Sequence, residues 1–327
     1  MADNVMKLCL IGCGKMGHAM LAGWLGLEDM QAEISVIDPA HDAAQALLST
    51  PSVGVSYYHS VADLPASYCA DIAILAVKPQ IMDNVLPQVV GVGDSATGWI
   101  SIAAGISTAG LAHHLGADAR LMRAMPNTPA AIGSGITALY CTDTVTAAQK
   151  QRAEALLRAC GDVVHIDDEL MMDAVTAVSG SGPAYVFLLA EVMAAAGRKL
   201  GLPADVADRL ARQTVAGSGA LLAAETAPAS QLRVNVTSEG GTTAAALAVL
   251  MAEGGMSALF DTALAAAAHR AQELDRCNQK TTFTTKYFKF TIKHLKVTSN
   301  ILTFTDTNSE FAPPPSKFTS KNSVLTH

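Results

Sequence analysis

Basic charge, aromatic side chains and long uninterrupted apolar runs are all scarce in this chain of 327 residues. Lysine and arginine number 22 against 29 aspartates and glutamates, a formal net charge of −7. A surface with that balance does not neutralise a phosphate backbone, which excludes a general nucleic-acid binder. Half of the residues (50%) are hydrophobic. No apolar stretch, however, reaches the roughly eighteen residues of a membrane span without a glycine or a charge interrupting it, so the chain is expected to be soluble, with no membrane partner. The six cysteines, Cys9, Cys13, Cys69, Cys141, Cys160 and Cys277, show neither paired metal-ligand spacing nor the density of a disulfide framework. No metal is expected, and a reducing, cytoplasmic compartment is. Leu10-Ile11-Gly12-Cys13 resembles a lipoprotein cleavage site, but too few apolar residues separate it from Lys7 to form a signal-peptide core.

Glycine is missing from one region altogether: all 25 glycines precede Cys277. From there to His327 the composition changes, with eleven threonines and a single alanine, Ala312. Seven lysines there face only Asp306 and Glu310, a surplus of +5 that leaves −12 for residues 1–276. Phe283 to Phe290 and Ile301 to Phe304 have some strand character, and the Pro-rich, polar remainder reads as a disordered appendage.

The length allows two domains with real cores. Val5 to Ile11 reads as a strand and runs straight into Gly12-Cys13-Gly14-Lys15-Met16-Gly17, after which Met20, Leu21, Trp24 and Leu25 recur at helical spacing. Strand, glycine turn and helix are the context of a dinucleotide fingerprint. Gly12 makes the turn, Gly14 admits the pyrophosphate to the backbone, Gly17 lets the helix pack on the strand, and the helix N-terminus holds the anion. A tight structural turn is the blander alternative. The next strand, Ile34 to Ile37, ends at Asp38, placed to accept hydrogen bonds from an adenosine ribose and to repel a 2′-phosphate. Asp38-Pro39 equally suits the start of a helix from Ala40 to Leu48.

Asp71 to Val77 is apolar without alternation, as in a parallel strand covered on both faces, and leads into Lys78-Pro79-Gln80 and a helix to Val89. Trp99 to Ala103, Ala119 to Arg123, Ile136 to Cys141 and Asp162 to Ile166 read as further strands, with a helix from Thr146 to Cys160. Lys78 and Asn127, just past strand ends, are candidate cofactor contacts, or else a solvated lysine and a turn asparagine.

Val178-Ser-Gly-Ser-Gly-Pro-Ala-Tyr185 divides this alternating part from an almost wholly helical one. It reads as a turn with a helix starting at Pro183. Ala184 to Leu200 is apolar nearly all round, which points to a subunit interface. Helices follow over Ala204 to Glu225, Ala244 to Ala252 and Ser257 to Gln272. The loop Asn235-Val-Thr-Ser-Glu-Gly-Gly-Thr-Thr243 offers hydroxyls and glycine N–H groups at a helix start, a ready carboxylate site or simply a capped helix.

Together these motifs, with Ala76-Val-Lys-Pro79 and Asn127-Thr-Pro129, make residues 5–275 resemble the pyrroline-5-carboxylate reductases. The resemblance implies an α/β fold class: an N-terminal Rossmann-like doubly wound sheet (1–166) and an all-α dimerisation and substrate domain (167–276); it says nothing about the atypical tail (277–327), which composition alone sets apart. It implies a homodimer or ring of dimers that reduces the cyclic imine 1-pyrroline-5-carboxylate to L-proline by hydride transfer from NADPH or NADH. Cofactor contacts would come from Gly12, Gly14, Lys15, Met16, Gly17, Asp38, Ala76, Lys78, Pro79 and Asn127. The substrate carboxylate would lie on Ser238, Gly241 and Thr242, and the Thr243 hydroxyl would face the ring nitrogen. Glu239 stands where the family usually has proline, and a carboxylate there would repel an anionic substrate unless it points away. A hydroxy-acid dehydrogenase of similar plan would need a lysine on the first helix of the second domain, and Met171 to Ala177 has none. A nucleotide-sensing module would leave the second loop without a purpose.

Overall fold

In the computed structural model the described residues are 5–28, 30–40 and 54–274. The expected helix after Ala40 and the tail from Cys277 lie outside them. Eight strands form one sheet: β1 (Met6–Ile11), β2 (Ala32–Ile37), β3 (Val55–Tyr58), β4 (Ile72–Leu75), β5 (Gly98–Ser101), β6 (Arg120–Met125), β7 (Gly135–Cys141) and β8 (Gly161–His165). Their order is β3-β2-β1-β4-β5-β6-β7-β8. All neighbours are parallel except β6 and β7.

The parallel strands lack polar alternation because both of their faces are covered. Successive side chains of β1 point to opposite sides: Leu8 and Leu10 enter one core, Cys9 and Ile11 the other. The first core also takes Met20, Leu21 and Trp24 from helix α1 (Lys15–Leu25), and its far end takes Leu156 and Leu157. The second takes Met82, Leu86 and Val89 from α2 (Met82–Val89), and Leu111 from α3 (Thr108–Leu115). Helix α4 (Ala147–Arg158) returns to the first face, where the fully buried Trp24 donates its indole N–H to the Leu156 carbonyl at 2.9 Å. The sheet is therefore doubly wound, as expected. The edge strand β3, which pairs only with β2, is an element the sequence reading did not anticipate.

Beyond β8 the chain is helical: α5 (Met172–Val175), α6 (Gly182–Lys199), α7 (Ala204–Ala224), α8 (Ala229–Asn235), α9 (Thr242–Leu250) and α10 (256–274). The expected open turn at 178–185 is instead a π-helical turn, Thr176–Gly180, that carries α5 almost directly into α6. Ser181 N donates five residues back to the Thr176 carbonyl at 2.8 Å. The Tyr185 hydroxyl donates to the Ala177 carbonyl at 3.1 Å, satisfying a group in the widened turn. Met125 packs against Gly180, where a Cβ would come within 2.5 Å of the methionine Cε and displace that methyl group.

Glu169–Lys199 is long and apolar enough to cross a membrane by length and composition, although Asp173, Gly180, Gly182 and Glu191 interrupt it, and only 11% of its most apolar window is buried. The exposure extends to every helix after it. Among the described residues of α6 to α10 only Ala194, Ala207, Ala211 and Ala271 are buried, while Phe187, Leu188, Leu222, Val249 and Leu259 are exposed. These helices have almost no core of their own.

The Trp24 contact gives a test of the first core. Trp24→Phe keeps most of the apolar volume but leaves the Leu156 carbonyl without its donor. The expected loss is about 1–3 kcal/mol in chemical denaturation. An unchanged midpoint and slope would show that the indole hydrogen bond contributes nothing.

Candidate active site

Backbone crowding shapes the carboxyl edge of β1, β2 and β4. Gly12 takes φ +92°, and a Cβ there would lie 2.8 Å from Val77 Cγ1 and 2.9 Å from the Ala76 carbonyl oxygen. A Cβ on Gly17 would collide with the Gly12 carbonyl, with Ala76 Cβ beyond it at 3.5 Å. Both positions are closed to any side chain. Gly14 is the opposite: nothing lies within 4 Å of the place its Cβ would fill. It is the N-cap of α1 and offers no side-chain acceptor to the first-turn N–H groups. An open cradle in front of a helix N-terminus fits the pyrophosphate of a dinucleotide. Lys15 lies exposed and Met16 half-buried in that first turn.

Asp38 closes the cradle from β2. One carboxylate oxygen accepts from Cys13 N at 2.5 Å, and the other from Ala40 N at 2.7 Å. Gly12 N meanwhile donates to the Ile37 carbonyl at 2.8 Å. The side chain thus fixes the glycine loop and caps its own turn, with lone pairs remaining for a ribose hydroxyl. Burial, and secondarily the Asp38 charge, pushes the Cys13 thiol up to about 11, so it stays protonated and is no nucleophile at neutral pH.

The structure brings Gly12, Gly14, Lys15, Met16, Gly17, Asp38 and Ala76 together. Lys78 is exposed one step further on, as N-cap of the short turn Pro79–Ile81. Asn127, past the end of β6, does structural work that sequence did not reveal. Its Nδ2 donates to the Ser179 carbonyl at 3.2 Å, and its Oδ1 accepts from Ile136 N at 3.0 Å. It therefore clips the π turn to the sheet edge and keeps one N–H in hand.

On the helical side, α9 begins at Thr242, two residues earlier than the sequence reading placed it. Thr242 and Thr243 therefore sit in its first turn. Gly241 is the N-cap, again without a side-chain cap, and its Cβ would collide with Ser238 Oγ. Gly241 N donates to the Ser238 carbonyl at 3.1 Å, and Gly240 takes φ +67°. Ser238, Glu239 and Thr242 are exposed, and Thr243 is half-buried. Uncapped first-turn N–H groups beside two hydroxyls form a second anion-accepting helix start.

One polar cluster was missed. Arg123 stands on β6 among apolar neighbours and reaches Glu169 at 2.7 Å. A charged residue inside the strand Arg120–Met125 was the available signal, since a buried charge requires a partner.

A sheet running β3-β2-β1-β4-β5-β6 with a glycine cradle at its switch point, joined to helices that lack a core, has the form of a dinucleotide-binding layer followed by a helical region. Residues 7–105 match the family model described as NADP oxidoreductase, coenzyme F420-dependent, and residues 169–274 match the one described as pyrroline-5-carboxylate reductase dimerisation. The pyrroline-5-carboxylate reductase of Pseudomonas aeruginosa is 40% identical over 82% of this chain and 96% of its own. That of Synechocystis is 39% identical over 83% and 99%. A solved Coxiella burnetii pyrroline-5-carboxylate reductase is 34% identical, with TM-score 0.74, covering 83% of this chain and 99% of its own. The Plasmodium falciparum enzyme, solved with NADP bound, is 29% identical with TM-score 0.68, covering 83% and 98%. The chain belongs to the pyrroline-5-carboxylate reductase family.

The cradle itself can be tested. Gly14 has φ −67° and open space, so Gly14→Ala should fold with unchanged thermal stability. Its methyl group would occupy the pyrophosphate approach and weaken reduced-cofactor binding about tenfold or more, roughly 1.4 kcal/mol. Undiminished affinity by fluorescence titration would place the cofactor elsewhere.

Proposed function

We infer that this chain reduces 1-pyrroline-5-carboxylate to L-proline with NADPH or NADH as hydride donor. The observation that carries the reading is the pairing of two uncapped helix starts, Gly14 and Gly241, one suited to a pyrophosphate and one to a carboxylate, in a chain of this family. The bound reduced nicotinamide would supply the hydride. The chain's own residues bind, orient and donate. The first-turn N–H groups of α1 hold the pyrophosphate, with Lys15 and Met16 lining its approach. Asp38 faces the ribose, and Ala76, Lys78, Pro79 and Asn127 border the crevice. Ser238 and the N–H groups of Gly241 and Thr242 hold the substrate carboxylate. The Thr243 hydroxyl donates to the ring nitrogen, whose basicity rises as the adjacent carbon is reduced.

The chain forms oligomers through its helical region, and the apolar faces of α6 to α10 support a homodimer or a ring of dimers. The functional division runs 1–166 for the cofactor, 167–276 for dimerisation and substrate, and 277–327 as an appendage. Cytoplasmic localisation is supported by free thiols at Cys9, Cys13, Cys69, Cys141 and Cys160. The purified protein should oxidise reduced cofactor only when the cyclic imine is present. Turnover with a hydroxy acid or oxo acid instead would replace this reading with that of a hydroxy-acid dehydrogenase.

Asp38 sets the expected cofactor balance. A 2′-phosphate would approach a carboxylate already fixed by two backbone N–H groups, so kcat/KM with NADH should equal or exceed that with NADPH. A tenfold preference for NADPH contradicts this.

Thr243→Val preserves the branched shape and removes only the donor. It should lower kcat about ten- to a few hundredfold while KM moves less. Ser238→Ala should do the reverse, raising KM more than it lowers kcat. Parental activity in Thr243→Val would mean that the proton comes from elsewhere.

A further inference from the structure

We propose that Glu169 is a positioning residue for hydride transfer: it ties the first turn of the helical region to the backbone segment that follows β5, beside the cofactor crevice. The proposal rests on the reductase reading above. Strand β5 pairs with β4 on one side and β6 on the other, so residues 102–107 leave the carboxyl edge within the parallel strands, next to the end of β4. In open sheets of this kind the reactive end of a nucleotide lies outside those strand ends.

The segment enters α3 at Thr108, which is 8% exposed, and there it meets the Glu169 carboxylate. Oε1 accepts from Thr108 N at 2.7 Å, and Oε2 accepts from the Thr108 hydroxyl at 2.5 Å. Oε1 also accepts from Arg123, whose residue is 8% exposed and whose strand position is level with Ser101 of β5. One carboxylate thus serves as the anion at a helix N-terminus and as counterion to a buried guanidinium. Glu169 opens the short turn Glu169–Met171 that leads into α5, with Asp168 capping it by accepting from Leu170 N at 2.9 Å. Further along the same run, Ser179 is clipped to Asn127. The crevice wall and the helical region are therefore held together by directional bonds. An apolar pair would serve stability as well as a buried ion pair does, but it would not fix an orientation.

Three variants separate positioning from mere stability, each measured for kcat, KM for imine, cofactor affinity and thermal midpoint. Thr108→Val leaves the ion pair intact and removes one hydrogen bond; kcat should fall about three- to tenfold, with the midpoint and cofactor affinity unchanged. Glu169→Ala should lower kcat about ten- to a hundredfold, but it also strands Arg123 and lowers the midpoint. The paired Arg123→Met, Glu169→Leu variant removes both charges and the acceptors that hold Thr108. Its midpoint should recover relative to Glu169→Ala while kcat stays depressed. Parental kcat in Thr108→Val, or recovery of kcat together with stability in the paired variant, overturns the proposal. So does a rise in KM with kcat unchanged. A parent protein that fails to turn over the imine contradicts the reductase reading instead, which keeps the two failures apart.

Discussion

The burial of both faces of one parallel sheet is the constraint on which the rest of this structure depends. Leu8, Leu10, Ile72 and Ile74 on one side, and Cys9, Ile11, Ala73 and Leu75 on the other, are almost entirely removed from water. Nearly all the large buried side chains belong to this layered core, which holds the strand ends that form the crevice. The helices after β8 have no equivalent. Their exposed Phe187, Leu188 and Leu259 leave apolar surface that one chain by itself does not bury. A rigid cofactor-binding layer joined to an incomplete helical layer makes the joint between them the part of the molecule where geometry most needs directional bonds. The Asn127–Ser179 and Arg123–Glu169–Thr108 contacts are found there.

At the crevice, backbone crowding does work that side chains cannot. Gly12 and Gly17 approach so closely that neither admits a Cβ, and Ala76 fills the remaining space. That brings the start of α1 against the end of β1 and leaves Gly14 with open space in front of it. Asp38 then fixes the loop through Cys13 N, so the cradle holds its shape by its own bonds. Pre-organisation of this kind lowers the entropy lost on binding. The same logic recurs on a smaller scale where Gly241 packs against Ser238.

Much of this was legible in the sequence, because the signals were local. The strand–glycine–helix order around Gly12 to Gly17 and the unbroken apolar run before Lys78 each follow from one short segment. What was not legible depended on distant partners. The segment at 178–185 reads as a turn because serine and glycine disfavour an α-helix, yet residues 176–180 close as a π turn with help from Tyr185 and Asn127. Strand β3, Val55–Tyr58, has polar Ser56 at its centre and one pairing neighbour, so it lacks the unbroken apolar run that marks the equally short β4. The helix at Thr242 starts before its apolar run because Gly241 supplies the extended N-cap. Glu169 meets Arg123 across 46 positions and Thr108 across 61, separations at which pattern carries no information.

The central claim is that hydride passes from the nicotinamide to the imine carbon while the protein holds both carboxylate and ring nitrogen. The most direct measurement is turnover with cofactor deuterated at the transferring position of the nicotinamide, followed by mass and NMR analysis of the product. The account predicts proline carrying a single deuterium on the former imine carbon, with one stereochemistry. Unlabelled proline, label at another carbon, or cofactor oxidation without proline would contradict it.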